Sequence, residues 1–211
     1  MIYLIAGAPR CGKTIIAKKL SKKLDVSWIS SDTLESIVSV YTNKKNYKKL
    51  FPKKLIRQKT KQSNDMMYNT YSTGEIVRSY IKQSRTSWKA IETLIDCSLK
   101  EGLDYIIEGH QIHPKLVNKI RSEHGSKNIK SLIVTRFDND KIVSGCLKHK
   151  SKSDWFIQKT RKHDTYYKIA EMIKKYSTFF EEESKKYRID TINVDSKFPT
   201  KLNEAVNKLS K

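Results

Sequence analysis

Cysteine is scarce in this chain of 211 residues: Cys11, Cys97 and Cys146 are odd in number and far apart. They form neither a disulfide framework nor the ligand spacing of a zinc site. No apolar run approaches the roughly 18–20 residues that cross a bilayer, so no membrane span is expected. Met1 leads straight into a core strand, which leaves no room for a cleavable leader and predicts a cytoplasmic protein. Acidic residues are few, 22 against 43 Lys and Arg, for a formal net charge of +21. Arginine is nonetheless sparse, because 35 of the basic residues are lysine and 8 are arginine. Recognition of bases and phosphates favours arginine forks, so a diffuse lysine excess reads mainly as solvated helix faces. Two clusters stand out: the lysines from Lys44 to Lys61, with Tyr41, Tyr47 and Phe51, and Lys148, Lys150, Lys152, Lys159, Arg161 and Lys162 around Trp155. Both attract polyanions of any kind, including weak, non-specific attraction to nucleic acid. Tyr47 and Phe51 would supply stacking for a single strand.

The chain does contain Gly7-Ala8-Pro9-Arg10-Cys11-Gly12-Lys13-Thr14, directly after the apolar run Ile2 to Ala6 and ahead of an amphipathic stretch. This is G-x-x-x-x-G-K-T in the strand-before, helix-after context that a phosphate-binding loop requires. The glycines let the backbone curl so that its N–H groups point at phosphate oxygens, and the following helix adds its dipole. Lys13 then neutralises β- and γ-phosphates and the Thr14 hydroxyl ligates Mg²⁺. Cys11 reads as a small filler residue.

Strands and helices alternate along the chain, which predicts a parallel sheet with crossover helices. The strands are expected at Ile2–Ala6, Val26–Ile29, Tyr105–Gly109, Ser131–Arg136 and Ile189–Val194. Ile16, Ala17, Leu20 and Leu24 give the helix from Lys13 a core-facing stripe. Helical spacing runs from Thr73 to about Lys100 with a kink near Ser84, and a long charged helix is expected from Asp154 to about Tyr187. Residues 42–72 show no clear period and read as an inserted substrate lobe or a mobile segment. Residues 148–163 read as a lid.

Ligands of open parallel sheets bind beyond the carboxyl ends of the strands. There the sequence places Arg10 and Lys13, Asp32, Glu108 to His113, Arg136 and Asp195. With these residues the chain resembles the P-loop kinases of the nucleoside and nucleotide kinase type. Within them it is most similar to the group of 2-phosphoglycerate kinase-like proteins, zeta toxins and chloramphenicol phosphotransferases. The resemblance follows the order of elements along the whole chain and is specific at Gly7–Thr14 and fair at Ile106-Ile107-Glu108-Gly109. It implies a three-layer α/β fold, a single domain over 1–211, with a five-stranded sheet in the order 2-3-1-4-5 and a helical lid.

The resemblance places an acid just after strand two as the base that orients and deprotonates an acceptor hydroxyl, where Asp32 stands. Asp32 also fits the N-cap of the next helix, and the two readings are compatible. Glu108 stands where the family often has an aspartate holding Mg²⁺ through water, and Gly109 allows close approach of substrate. His110 and His113 are read as substrate contacts or as structural histidines. Arg136 is read as a substrate contact or as a partner of Asp138 or Asp140. The lid of the family supplies positive charge to the transition state, but its usual arginine pair is missing and Arg161 stands alone among lysines. No Asp-Glu pair ends strand three and no Asn-Lys-x-Asp motif occurs, which leaves ATP as the expected donor. The sequence therefore points to an ATP- and Mg²⁺-dependent kinase acting on a hydroxyl or phosphate group of a small molecule. Its rivals are a polynucleotide 5′-hydroxyl kinase and an ATP-binding regulatory or toxin component without turnover.

Overall fold

In the computed structural model, which describes residues 1–148 and 154–211, five strands form one parallel sheet. They are β1 (Ile2–Gly7), β2 (Trp28–Ser30), β3 (Tyr105–Gly109), β4 (Ile129–Thr135) and β5 (Thr191–Asn193). Their order is β2-β3-β1-β4-β5, the order expected. β1 is buried along its whole length, as a central strand covered on both faces must be. The edge strands β2 and β5 are three residues each and partly exposed. Helices α1 (Lys13–Leu24) and α12 (Phe198–Ser210) pack on each other over one face of the sheet. The long α11 (His163–Tyr187), with α8 (Pro114–His124) and α9 (Asn139–Lys148), packs over the other. Fully buried Leu4, Ile5, Ile107 and Leu132 fill the middle, each burial contributing about 1.5–3 kcal/mol. The rigid part of the molecule is thus the centre of the sheet, and the carboxyl ends of β1 and β3 emerge from it side by side.

Gly7 closes β1 at φ 136°, and a Cβ there would stand 2.0 Å from the Val134 carbonyl oxygen. Only a residue without a side chain lets the chain leave the sheet at this point. Residues 42–72 are helical, in three short pieces: α3 (Lys44–Leu50), α4 (Pro52–Lys59) and α5 (Asn64–Thr70). Seven or eight residues complete about two turns, too few for a stripe to declare a period. The expected kink near Ser84 is a 3-10 turn, Arg85–Ser87, between α6 (Thr73–Ser84) and α7 (Trp88–Lys100). The single helix expected from Asp154 is two: a short α10 (Trp155–Gln158) and then α11. Asp154 caps the first through Phe156 N–H, and Arg161 and Lys162 N–H turn away to the Asp65 carboxylate, which ends one helix before the next begins. Asp32 is not the N-cap of α2 (Ser31–Tyr41); Ser30 is, accepting from Asp32 N–H. Among the described residues no helix is long and apolar enough to cross a membrane.

Candidate active site

One cavity of about 1200 Å³ opens over the carboxyl ends of β1 and β3. Its size exceeds the ~300–1,000 Å³ of ordinary ligand clefts, so it has room for two molecules. At one end lies the loop Gly7–Thr14. Lys13 is buried, and its ammonium curls back to donate to the Ala8 carbonyl at 2.8 Å. Thr14 Oγ1 donates to Glu108 Oε1 at 2.9 Å. Arg10, at φ 64°, turns its guanidinium outward to the buried Asp154 carboxylate at 2.9 Å, with Nε on Cys146 Sγ at 3.2 Å. Ala8 and Cys11 are buried beneath the loop; burial pushes the Cys11 thiol up despite Lys13 beside it, as suits a packing residue. Pro9, Gly12 and Ile15 line this end together with Phe198, Pro199 and Leu202 of α12, and Gly12 packs directly against Phe198 and Leu202.

Arg136 belongs to this end and not to the neighbourhood of Asp32. Its Nη2 donates to Lys141 O at 2.7 Å, Nη1 to Arg10 O at 3.3 Å, and its guanidinium covers the Phe198 ring at 5.1 Å. The carboxylate facing it is Asp195, at 3.9 Å, and neither Asp138 nor Asp140. Asp195 follows β5 and accepts from Phe137 and Asp138 N–H, so the β4–β5 neighbours bring these groups together.

The other end is a polar cluster on the first turn of α2. Asp32 and Glu35, three residues apart, share a helix face. The buried Gln111 amide donates to both, at 2.7 and 3.3 Å, and its oxygen accepts from Ser31 Oγ at 2.5 Å. Glu35 also accepts from Gln83 at 2.7 Å and pairs with Lys53 at 3.3 Å. Lys53 lies over the Tyr80 ring at 4.9 Å. Gly109, at φ 153°, makes the cluster possible: a Cβ there would stand 1.7 Å from Ser31 Oγ.

Asp32 alone in this cluster is open, its side chain 64% exposed toward the cavity. The protein atoms around it disfavour ionisation, but His110, Lys53, the Gln111 hydrogen bond and Lys13 together hold its carboxyl below the usual range. His110 sits 3.5 Å from Asp32 through Nδ1. Burial first, then Lys53, pushes its pKa well below the usual histidine value, so the ring is neutral at pH 7. Burial also works against the Lys53 ammonium, yet the groups around it, Tyr80, Glu35 and Asp32, leave its pKa above the usual lysine value.

Two expected site residues lie elsewhere. His113 caps α8 from inside the core, bonded to Ser84 Oγ at 2.9 Å and Tyr176 OH at 3.1 Å among the rings of Trp88, Phe179 and Phe180. The tight turn in which His113 N–H donates to Gln111 O points it away from His110. Arg161 borders a separate hollow of about 220 Å³ with Lys61, Ser63 and Asp65. Of the expected lid, Lys148 and Trp155 line the main cavity, while Lys150 and Lys152 lie outside the described residues. Phe51 is fully buried and stacked on Tyr47 at 4.8 Å, so it presents no face to a nucleic-acid strand. Glu35, Arg57, Tyr80, Gln83 and Phe198 were not among the expected site residues, and Lys53 was singled out only as one lysine of the basic cluster from Lys44 to Lys61. The spacing Asp32–Glu35 was the one signal within reach.

No protein-family model and no curated protein matches the chain. Among solved structures it is similar over its full length to a shikimate kinase from Bacteroides thetaiotaomicron, with a TM-score of 0.53 and 12% identity, covering 96% of that chain. It is also similar to a gluconokinase from Sinorhizobium meliloti, with a TM-score of 0.50 and 10% identity over 99% of this chain and 90% of that one. The fold is that of the P-loop kinases. At such identities the likeness is one of fold alone.

Proposed function

We propose that this chain is an ATP- and Mg²⁺-dependent kinase that transfers the γ-phosphoryl group to a hydroxyl of a small molecule. The observation that carries the reading is one cavity with a phosphate loop at one end and the exposed Asp32 side chain at the other. Among the described residues no group of three or more His, Cys, Asp or Glu gathers as a metal cage. That suits Mg²⁺, which binds through one or two protein oxygens and takes the rest from phosphates and water. Thr14 and Glu108 supply such oxygens, and the ion would neutralise β- and γ-phosphate charge. Lys13 exchanges the Ala8 carbonyl for phosphate oxygens, and the loop N–H groups and the α1 N-terminus hold the remainder. Asp32 orients the acceptor hydroxyl and takes its proton as the new O–P bond forms, while Gln111 fixes the carboxylate from behind. The narrower resemblance to the 2-phosphoglycerate kinase, zeta toxin and chloramphenicol phosphotransferase group rests on Gly7–Thr14 and Ile106–Gly109.

The reading is tested by ATP consumption against pooled nucleosides, nucleotides, sugars, sugar acids and 5′-hydroxyl oligonucleotides. Asp32→Asn is expected to keep MgATP affinity by calorimetry and to lower kcat by roughly 10²-fold or more. An unchanged kcat would remove Asp32 from the reaction.

A further inference from the structure

Helix α2 is apolar on two faces, where a helix at the surface needs only one. The inward face holds Leu34 and Val38 and packs on β3 and α7. The outward face holds Ile37, Val40 and Tyr41, at the i, i+3 and i+4 spacing that sets side chains next to each other. These three are 49%, 79% and 86% exposed, and the last two stand at the very end of the helix. Apolar side chains scattered singly over a surface are ordinary; three together form a patch.

The second observation is one of charge. Residues 36–64 contain no Asp or Glu, the longest such stretch in the chain, and hold eight lysines and one arginine. Lys53 and Lys54 turn back onto α2, to Glu35 and to Ser39 Oγ. Lys44, Lys45, Lys48 and Lys49 of α3 are exposed, and among the described residues none of them meets a carboxylate. Helix α3 buries no residue, and half-buried Tyr47, stacked on Phe51, is its anchor. Lys44 and Lys45 follow Tyr41 by three and four residues, which keeps their Cα atoms within ~15 Å of it.

We infer that this end of the molecule, the last turn of α2 with α3, docks on an anionic lipid surface. Val40 and Tyr41 enter the boundary between headgroups and acyl chains, and the α3 lysines pair with lipid phosphates and carboxylates. The docking is peripheral and independent of the kinase reading. Val40 and Tyr41 project from a helix end, and a fluid layer closes around a projection without needing a matching pocket. Tyrosine, apolar in its ring and polar at its tip, suits that boundary. Lysine stems lie along apolar surface while their ammonium groups stay among the headgroups. A nucleic-acid backbone offers Ile37 and Val40 no apolar medium, and the Phe51 ring is buried away from any base. A second copy of the chain brings the same charge and is repelled.

The test is co-sedimentation of the full chain with phosphatidylcholine vesicles containing about 30% phosphatidylserine, at about 0.15 M salt. Binding is expected there, and at least roughly 10-fold weaker binding to phosphatidylcholine alone. Changing Lys44, Lys45, Lys48 and Lys49 together to Gln weakens it by roughly 10²-fold or more, at about 5-fold per lysine near the surface. Val40→Ser with Tyr41→Ser weakens it by roughly 10-fold. All six positions are exposed, so circular dichroism and Tm are expected to match the parent. A control variant removes the same charge from other faces, with Lys22, Lys100, Lys115 and Lys127 changed to Gln. Equal losses in the two quadruple variants mean diffuse attraction and overturn the inference. So does a serine variant that binds like the parent, or no binding to the anionic vesicles at this salt. Displacement of the bound chain by an equal charge of single-stranded oligonucleotide overturns it too, in favour of a nucleic acid.

Discussion

Replacing Lys53 by methionine isolates what the ion pair inside the polar cluster on α2 contributes. The Lys53 and Glu35 side chains are 16% and 4% exposed, so removing the ammonium leaves a carboxylate with little access to water. Breaking a buried pair from one side costs about 3–5 kcal/mol. Here the loss is blunted, because Glu35 keeps amide donors from Gln83 at 2.7 Å and Gln111 at 3.3 Å. Hydrogen bonds to a charge retain about 1.5–3 kcal/mol each, and the expected destabilisation is about 2–3 kcal/mol. For a chain of this size that lowers Tm by about 4–12 °C. The measurement belongs at pH 7: a raised lysine pKa contributes stability that is complete below 10.5 and is lost as pH rises through the folded value. The companion variant is Lys53→Met with Glu35→Gln, which removes the stranded charge and returns stability to within about 1 kcal/mol of the parent. Calorimetry and urea unfolding of the four proteins complete the cycle. If Lys53→Met costs as much in the Glu35→Gln background as alone, the stranded-charge argument is wrong and Lys53 acts through packing on Tyr80.

Thr14→Ala should raise the Mg²⁺ concentration for half-maximal turnover by roughly 10-fold, the effect of one oxygen contact to a charge, and an unchanged Mg²⁺ titration would place the ion elsewhere. His113 gives a pH dependence with a definite sign. Burial first, then Arg85, pushes its pKa from 6.5 down to about 3, so the folded state binds fewer protons than the unfolded one. Its contribution is complete above pH 6.5 and falls away as pH drops toward 3. His113→Gln is expected to flatten the decline of Tm between pH 6.5 and 4, which a pH series of melts reads directly. An unaltered slope would mean that His113 is not buried neutral.

The phosphate loop was legible because it is local: eight consecutive residues carry the geometry, and the strand and helix on either side have clear periods. The sheet order came from the resemblance, and the alternation of elements supported it. Asp32 and His110 were legible as strand-end residues. Glu35 and Gln83 were not, and Lys53 was legible only as part of a basic cluster, because their meaning lies in meeting one another across three segments that are distant in the chain. His113 and His110 show the same limit in reverse. They are three positions apart after one strand, and a single turn sends one to the cavity and the other into a cage of rings. The helices between residues 42 and 72 were hidden by their shortness.

Gly109 is the feature whose consequence reaches furthest. The space its missing side chain leaves is occupied by the Ser31 hydroxyl, which holds Gln111, which in turn holds Asp32 and Glu35. Positions 31, 109 and 111 are therefore one unit of variation: a methyl group at 109 would stand 1.7 Å from Ser31 Oγ and 2.9 Å from Gln111 Oε1, at a φ of 153° that favours glycine, so it would displace both partners. On the proposed function, a scan that scored residues by lost activity would rank Gly109 beside Asp32. It would be measuring a vacancy, the one contribution to this site that no side chain can make.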